Sequence, residues 1–297
     1  MIKLYNHETS VRWANLHRKI KGKANGARNY SINITKWYWP IFEEVLGNIG
    51  KTVAVVTVDL EGRPSHFEED VIFAFRHECR YRQQPTIERA KLFCDINSHA
   101  QVFFVVWDED CARELSANGM SAIFLPMAID VEEIRSHKVD VPKYANRIIY
   151  FGNVRNAKMN AWWRLKTIVE RHGWAIDRIS ENRLNVGKRL SRDEILQVIQ
   201  YYKYGVGVGI CAHEMAALGL KVYVYAYGAN GHLPRTKQYA NWLVRHNLCS
   251  PESATVDPLT AIQKFHSAVV IEPQDIKENC EYLRNTLIQL KDIIINK

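Results

Sequence analysis

The feature that most restricts how this chain folds is a rhythm. Short apolar runs rich in Val, Ile and Phe alternate with longer segments whose apolar residues recur at helical spacing. That alternation is the mark of parallel sheets whose strands are joined by crossover helices. Strands are expected at Ile2–Tyr5, Thr52–Val58, Val71–Phe75, Lys91–Asp95, Val102–Trp107 and Ala122–Pro126. A second series is expected at Arg147–Gly152, Trp174–Ile179, Tyr204–Ile210, Val222–Ala226 and Ala268–Glu272. With 297 residues there is chain enough for two cores of roughly 150 residues each. The expected class is therefore α/β, with two doubly wound sheets in tandem.

Several helices mark their own ends. Asp108 caps a helix running to Asn118, with Gly119 as its stop, and Ser191-Arg-Asp-Glu194 is a capping box opening a helix to about Tyr202. The segment from Ala157 to His172, closed by Gly173, carries Trp162, Leu165, Ile168 and Val169 on one stripe. From Asp275 to Ile295 runs a long amphipathic helix, which no later element follows and which is free to pack across a domain boundary. The polar stretch from Asp130 to Tyr144, containing Pro142, lies between the two strand series. The expected division is residues 1–135, residues 136–275 and a terminal helix 276–297.

Composition excludes several classes. Hydrophobic residues at 47% and charged residues at 24% are those of a folding chain, not a disordered one. No uninterrupted apolar stretch approaches the ~20 residues of a membrane span, and the opening Met1 to Glu8 has no apolar signal core, so a cytoplasmic protein without stable membrane insertion is expected. Six cysteines show no C-x-x-C pair and no His/Cys cluster at ligand spacing, which fits reduced thiols and no metal site. The net charge of +8 is uneven: residues 1–135 hold 17 basic and 18 acidic groups, residues 136–297 hold 23 and 14. Within the first part, Arg12, Arg18, Lys19, Lys21, Lys23, Arg28 and Lys36 form a stretch with no acid, interleaved with Trp13 and Tyr30 and followed by Trp37 and Trp39. A second basic cluster, Arg76, Arg80 and Arg82, follows an expected strand.

Three constellations could carry chemistry. In Tyr150-Phe-Gly-Asn-Val-Arg-Asn-Ala-Lys158 a strand ends on Gly152 and a helix begins near the cations Arg155 and Lys158. Such a turn holds a diphosphate through backbone approach, helix N–H groups and positive charge, or is an ordinary strand-to-helix turn with solvated cations. In the second, Glu214 heads a short small-residue helix after Gly205, Gly207 and Gly209, a spacing that lacks the dinucleotide fingerprint G-x-G-x-x-G. A carboxylate there can accept ribose hydroxyls or simply cap its helix. The third, Leu92-Phe-Cys-Asp95, reads as a strand delivering an acid to the edge where open α/β sheets bind ligands, where it could act as a general base, or as a lone Asp capping the next segment.

Together with the junction Ala122-Ile-Phe-Leu-Pro-Met-Ala-Ile-Asp130 and the segment Glu214-Met-Ala-Ala-Leu-Gly219, these pieces resemble the GT-B glycosyltransferases over nearly the whole chain, most closely the DNA β-glucosyltransferases of T-even phages. The resemblance implies two Rossmann-like domains facing across a cleft, a UDP-sugar (with glucose as the sugar) as donor, and transfer with inversion to the hydroxymethyl group of a 5-hydroxymethylpyrimidine such as 5-hydroxymethylcytosine in DNA. It implies Asp95 as catalytic base. For the donor it implies Gly152, Arg155 and Lys158 at the diphosphate, the backbone of Gly187 and Lys188 at the uracil, and Glu214 at the ribose. No cofactor is obligatory, and a divalent metal, if used, would serve product release. Double-stranded DNA would be met by Arg12, Arg18, Lys19, Lys21, Lys23, Arg28, Arg76, Arg80 and Arg82, by a monomer in the host cytoplasm if the chain is phage-encoded. Cys211 stands where the family has a further phosphate-binding arginine, and the loop before Glu214 is shorter. Two other functions share these features: a GT-B enzyme acting on a lipid-linked or surface glycan, and a non-catalytic GT-B-like DNA-binding protein.

Overall fold

The computed structural model describes residues 2–6, 11–12, 38–58, 66–76, 84–107, 109–152, 154, 157–180, 183–185, 187, 189–225, 230–246 and 256–296. Contacts divide the chain into two units, Met1–Ala128 with Glu281–Lys297, and Ile129–Cys280.

In the first unit, β1 (Ile2–Asn6), β2 (Val11–Arg12), β3 (Val53–Val58), β4 (Val71–Arg76), β5 (Gln101–Val106) and β6 (Ala122–Phe124) form one sheet in the order β2-β1-β3-β4-β5-β6. Every pair is parallel except β1 with β2. Alternation along β4 turns Ile72 and Ala74 to one face, where they join Ile87, Ala90 and Phe93 of α2 (Gln84–Ile96) and Ala112 and Leu115 of α3 (Glu109–Ala117) in one core cluster. Phe73 and Phe75 turn to the other face. There Phe42 of α1 (Trp39–Leu46) packs edge-on against Phe73 at 5.1 Å, and Tyr38 against Phe75 at 5.7 Å. Burial on both faces is why these strands read as unbroken apolar runs.

One expected strand of this unit is a helix. Lys91–Asp95 falls inside α2, whose buried positions Ile87, Ala90 and Phe93, with Asn97 just beyond, are spaced three, three and four residues apart. That is a helical period. The run Leu92-Phe-Cys imitates a strand, but Leu92 is 45% exposed and only Phe93 enters the core.

In the second unit, β7 (Arg147–Phe151), β8 (Ala175–Ser180), β9 (Arg183–Leu184), β10 (Tyr204–Gly207) and β11 (Lys221–Val224) form a sheet in the order β11-β10-β7-β8-β9. The chain builds outward from β7 to β8 and β9, then returns to the other side of β7 for β10 and β11. The strand order therefore reverses between β7 and β10. One face, with Ile148, Tyr150, Ile176 and Val206, is covered by Ala161, Trp162, Leu165 and Val169 of α5 (Ala157–Arg171). On the other face Gly205 and Gly207 lie against Met215 of α7 (Ile210–Ala217).

Three boundaries differ from expectation here. Ala268–Glu272 is not a strand: the flank of β11 is already bridged at Val224 by His232, and the N–H of Val269 donates instead to the carbonyl of Pro234 at 2.9 Å. The strand expected over Tyr204–Ile210 stops at Gly207, because Gly209 adopts φ 57° and Ile210 already begins α7. The units divide at Ala128 and Ile129, not after residue 135. The short helix α4 (Val131–Ser136), capped by Asp130 accepting from the N–H of Glu133 at 2.9 Å, is held to the second unit by the Glu132–Lys277 ion pair and by Cys280 Sγ against the carbonyl of Ile129.

The final helix, α10 (Pro273–Ile295), is shared between the units, with residues through Cys280 in the second and those from Glu281 in the first. Within the first unit Arg284 donates to both carboxylate oxygens of Glu44, at 3.1 and 2.9 Å. No helix among the described residues is long and apolar enough to cross a membrane.

Candidate functional site

In open α/β sheets ligands bind beyond the carboxyl ends of the strands where the strand order reverses. In the second unit that point lies between β7 and β10. Two glycines shape it. A Cβ on Gly207 would lie 2.7 Å from the carbonyl oxygen of Phe151, so the ends of β10 and β7 approach as closely as backbone allows. Gly209, at φ 57° and ψ −137°, holds a conformation that side chains disfavour and turns the chain at once into α7. On the β7 side, the N–H of Gly152 donates to the carbonyl of Ile179 at 3.0 Å, and the N–H of Val154 donates to Ser180 Oγ at 3.2 Å. These bonds pin the turn after β7 to the end of β8.

The helices α5, α7 and α6 (Arg192–Ile199) all begin at this edge, since each descends antiparallel to the strands. The start of α6 is set by a complete capping box, in which Ser191 Oγ accepts from the N–H of Glu194 at 3.2 Å and the Glu194 carboxylate accepts from the N–H of Ser191 at 2.6 Å. This fixes Arg192 in the first turn. Its guanidinium grips Glu214 of α7 bidentately, Nη1 to Oε2 at 2.7 Å and Nη2 to Oε1. Sequence reasoning found the capping box but passed over Arg192 inside it.

The pair is unequal in exposure. Glu214 is only 2% exposed, whereas the Arg192 side chain is 34% exposed. Burial works against the charge of Arg192, and the adjoining Glu214 carboxylate more than offsets it, so the guanidinium is held above its ordinary pKa. Both act on Cys211, in the first turn of α7. Burial, then the Glu214 carboxylate, push its thiol up to about 12, against the opposing fields of Lys158 and Arg192. Cys211 is therefore a neutral thiol at physiological pH. The same fields bring Lys158, Arg192, Cys211 and Glu214 into one cluster, with Lys158, Arg192 and Cys211 in the first turns of α5, α6 and α7, and Glu214 midway along α7 instead of at its head as expected. At Cys211, where the resemblance implies an arginine, the guanidinium of Arg192 arrives from the neighbouring helix.

Gly187 sits apart from that cluster in a tight turn. Its N–H is spent on the carbonyl of Leu184 at 2.9 Å, and its carbonyl accepts from Arg183 Nη1 at 3.3 Å, so a base meeting this residue could use only the remaining carbonyl lone pair. Arg155 and Lys188 lie outside the described residues.

Asp95 does not belong to a ligand edge. It is exposed in the last turn of α2, the helix that returns the chain to the start of β5, and so lies at the amino edge of the first sheet. The acid expected at the carboxyl end of a strand is at the opposite end of the layer, and its reading as catalytic base falls with the strand. At this amino edge a cavity of about 510 Å³ is lined by Gly50, Lys51, Asp70, His99, Ala100 and Gln101. Asp70 there is engaged with the chain itself, accepting from the N–H and the hydroxyl of Thr52, both at 2.7 Å. Of the basic residues expected to meet DNA, the backbone of Arg12 pairs with Tyr5 near the carboxyl end of β1, and Arg76 ends β4. Arg18, Lys19, Lys21, Lys23, Arg28, Arg80 and Arg82 lie outside the described residues, as do Lys36, Trp13, Tyr30 and Trp37. Among the described residues no group of three or more His, Cys, Asp or Glu is placed to hold a metal ion.

No protein-family model matches the sequence, and no curated protein does. Among solved structures the chain is similar to an alpha-glucosyltransferase in complex with UDP and a 13-mer DNA containing an HMU base, with a TM-score of 0.41 and 9% identity over 100% of this chain and 99% of that one. It is also similar to an alpha-glucosyltransferase in complex with UDP-glucose and DNA containing an abasic site, with a TM-score of 0.40 and 8% identity over 100% of both chains. An alpha-glucosyltransferase in complex with UDP gives 0.40 and 9% over 100% of this chain and 99% of that one.

Proposed function

We propose that the chain is a nucleotide-sugar-dependent glycosyltransferase of GT-B type, taking a UDP-sugar on its second unit and transferring the sugar to a hydroxymethylated pyrimidine in DNA. The observation that carries the donor half is the cluster of Lys158, Arg192, Cys211 and Glu214 beyond the reversal point of the second sheet, where Gly207 brings two strand ends together. A diphosphate needs cations, helix N–H groups and a close backbone, and these are the groups that converge there. The acceptor half rests on the acid-free, aromatic-flanked stretch of seven cations from Arg12 to Lys36, which suits phosphate contacts along a duplex.

In the reaction the acceptor hydroxymethyl oxygen bonds to the anomeric carbon as the bond from that carbon to the diphosphate oxygen breaks. The electron pair leaves with UDP, and the acceptor proton passes to a base. Lys158 and Arg192, with Arg155 from the same turn, would offset the charge growing on the departing diphosphate. Asp95 is not proposed as the base.

The test is incubation with labelled UDP-glucose and duplexes containing hydroxymethylcytosine or hydroxymethyluracil, with unmodified duplex as control. Label transferred only to the modified duplexes is expected. Nucleoside diphosphate binding without transfer to either duplex would remove DNA as the acceptor and leave a donor site. If UDP, GDP and ADP all fail to raise the melting temperature, the donor site itself is refuted.

A further inference from the structure

The resemblance assigns Glu214 to the ribose of the donor, but the geometry points to a different division of labour. We propose that Arg192 is the residue of the pair that contacts the donor, at its diphosphate, and that Glu214 is a positioning residue acting through Arg192. The proposal rests on the donor site described above.

Three observations carry it. The first is access: Glu214 is 2% exposed and lies beneath a guanidinium that is itself 34% exposed, so a ligand reaching the pair meets Arg192. The second is the count of unused groups. An arginine has five N–H donors in a fixed fork. Two are spent on Glu214, and the other three have no hydrogen-bond partner among the described residues. Held flat against a carboxylate, that fork keeps three donors in one plane for an anionic acceptor, and planar recognition of phosphate is what arginine does better than lysine. The third is company. The fields of Arg192 and Lys158 converge on Cys211, a neutral thiol in the first turn of α7, beside the N–H groups of that helix start.

Glu214 is then needed for a physical reason other than ribose. A long, rotamer-rich arginine binds phosphate well only when it is already in place, and a bidentate carboxylate 2% exposed sets both its position and the plane of its fork.

The two assignments differ in one measurable respect. A phosphate contact changes affinity for the nucleoside diphosphate and not for the nucleoside, whereas a ribose contact changes both alike. Affinities for UDP and uridine are measured by calorimetry on the wild-type chain and on Arg192→Lys, Arg192→Gln and Glu214→Gln, with melting temperatures alongside. Arg192→Lys keeps the charge beside Glu214 and is the variant that keeps the fold if Arg192→Gln fails to give folded protein. The expected result is a UDP affinity lowered about tenfold in Arg192→Lys and more in Arg192→Gln, with uridine within about twofold of wild type. Glu214→Gln should follow the same pattern, losing UDP and keeping uridine. Equal losses for UDP and uridine in Glu214→Gln would return Glu214 to the ribose and overturn the proposal. Unchanged UDP affinity in Arg192→Lys and Glu214→Gln would overturn it as well, while leaving the donor site standing. Failure of the wild-type chain to bind UDP, GDP or ADP would refute the donor site, and the proposal with it.

Discussion

Two acids that the sequence singles out as site groups meet opposite fates in the fold. Asp95 is a candidate as the acid that ends an apolar run, and Glu214 as the acid that heads a small-residue helix after a glycine-rich strand. Asp95 ends exposed at the finish of a helix, at the amino edge of the first sheet. Glu214 ends buried midway along α7, a helix that starts at the carboxyl edge of the second sheet, with an arginine clamped to it. What separates them is the edge of the sheet that each helix serves: α7 starts at a carboxyl edge and α2 finishes at an amino edge. A helix start faces ligands with free N–H groups and positive dipole, whereas a helix finish in the same layer faces away with carbonyls.

The largest effect that probes this contrast is Arg192→Ala. It removes the bidentate partner of an interior carboxylate, and loss of one partner of a buried pair should destabilise the second unit by about 3 kcal/mol or more. Removing the carboxylate instead, with Glu214→Ala, leaves a guanidinium that can turn to water, at roughly 1 kcal/mol. Denaturant melts of the two variants measure the asymmetry, and equal losses would mean that the pair is not buried on one side as described.

Acid should discriminate the same helix start next. His213, one residue before Glu214, is fully buried, with Nδ1 within 2.9 Å of the carbonyl of Gly209, and burial lowers its pKa to about 4. In the unfolded chain the ring titrates near 6.5. Above that value both states are neutral and stability is complete. As pH falls from about 6.5 the unfolded state takes up a proton that the folded state refuses, and stability drops by about 1.4 kcal/mol per unit until the folded ring titrates near 4. Melting temperatures across that window should fall less steeply in His213→Gln. Parallel curves for the two proteins would show that the ring titrates normally.

The glycines of β10 provide a smaller and more local comparison. A Cβ at Gly207 meets the carbonyl oxygen of Phe151 at 2.7 Å, backbone that cannot yield, whereas a Cβ at Gly205 meets Met215 Sδ at 2.5 Å, the body of a flexible side chain. Gly207→Ala should therefore cost about 1–3 kcal/mol and weaken UDP binding by parting β7 from β10, and Gly205→Ala less, about 1 kcal/mol, with UDP binding kept. Similar UDP affinities in the two variants would detach the strand junction from the donor site.

Much of this was legible in the sequence, for identifiable reasons. The strands of both sheets are buried on two faces, so Val53–Val58, Val71–Arg76 and Arg147–Phe151 stood out as apolar runs within a residue or so of their ends. The capping box at Ser191 was readable because it is wholly local, four residues that satisfy one another. Lys91–Asp95 misled because three apolar residues in a row satisfy a strand and a helix equally, and the deciding positions, Ile87 and Ala90, lie a turn upstream. Ala268–Glu272 misled because a strand needs a neighbour, and the flank of β11 is taken by His232. Arg192 was invisible for a related reason. Its partner is 22 positions away, and no local pattern announces a side chain whose meaning comes from another helix.

The smallest effect belongs to Asp95, and it is the most direct test of the comparison that began with two acids. In the first sheet β3, β4 and β5 end at Val58, Arg76 and Val106, and ligands of open α/β sheets meet that edge, whereas α2 finishes at the opposite one. Asp95→Asn keeps the size of an exposed side chain in a final helical turn and changes one charge. Its cost should lie within about 0.5 kcal/mol, with transfer of glucose to hydroxymethylated duplex at the wild-type rate. A loss of transfer at unchanged UDP affinity would restore Asp95 to the reaction and place chemistry at the amino edge of a parallel sheet. Retained transfer directs the search to acids that follow the strands, where Asp59, Glu78 and Asp108 stand in the sequence, and Asn substitutions there become the next measurement.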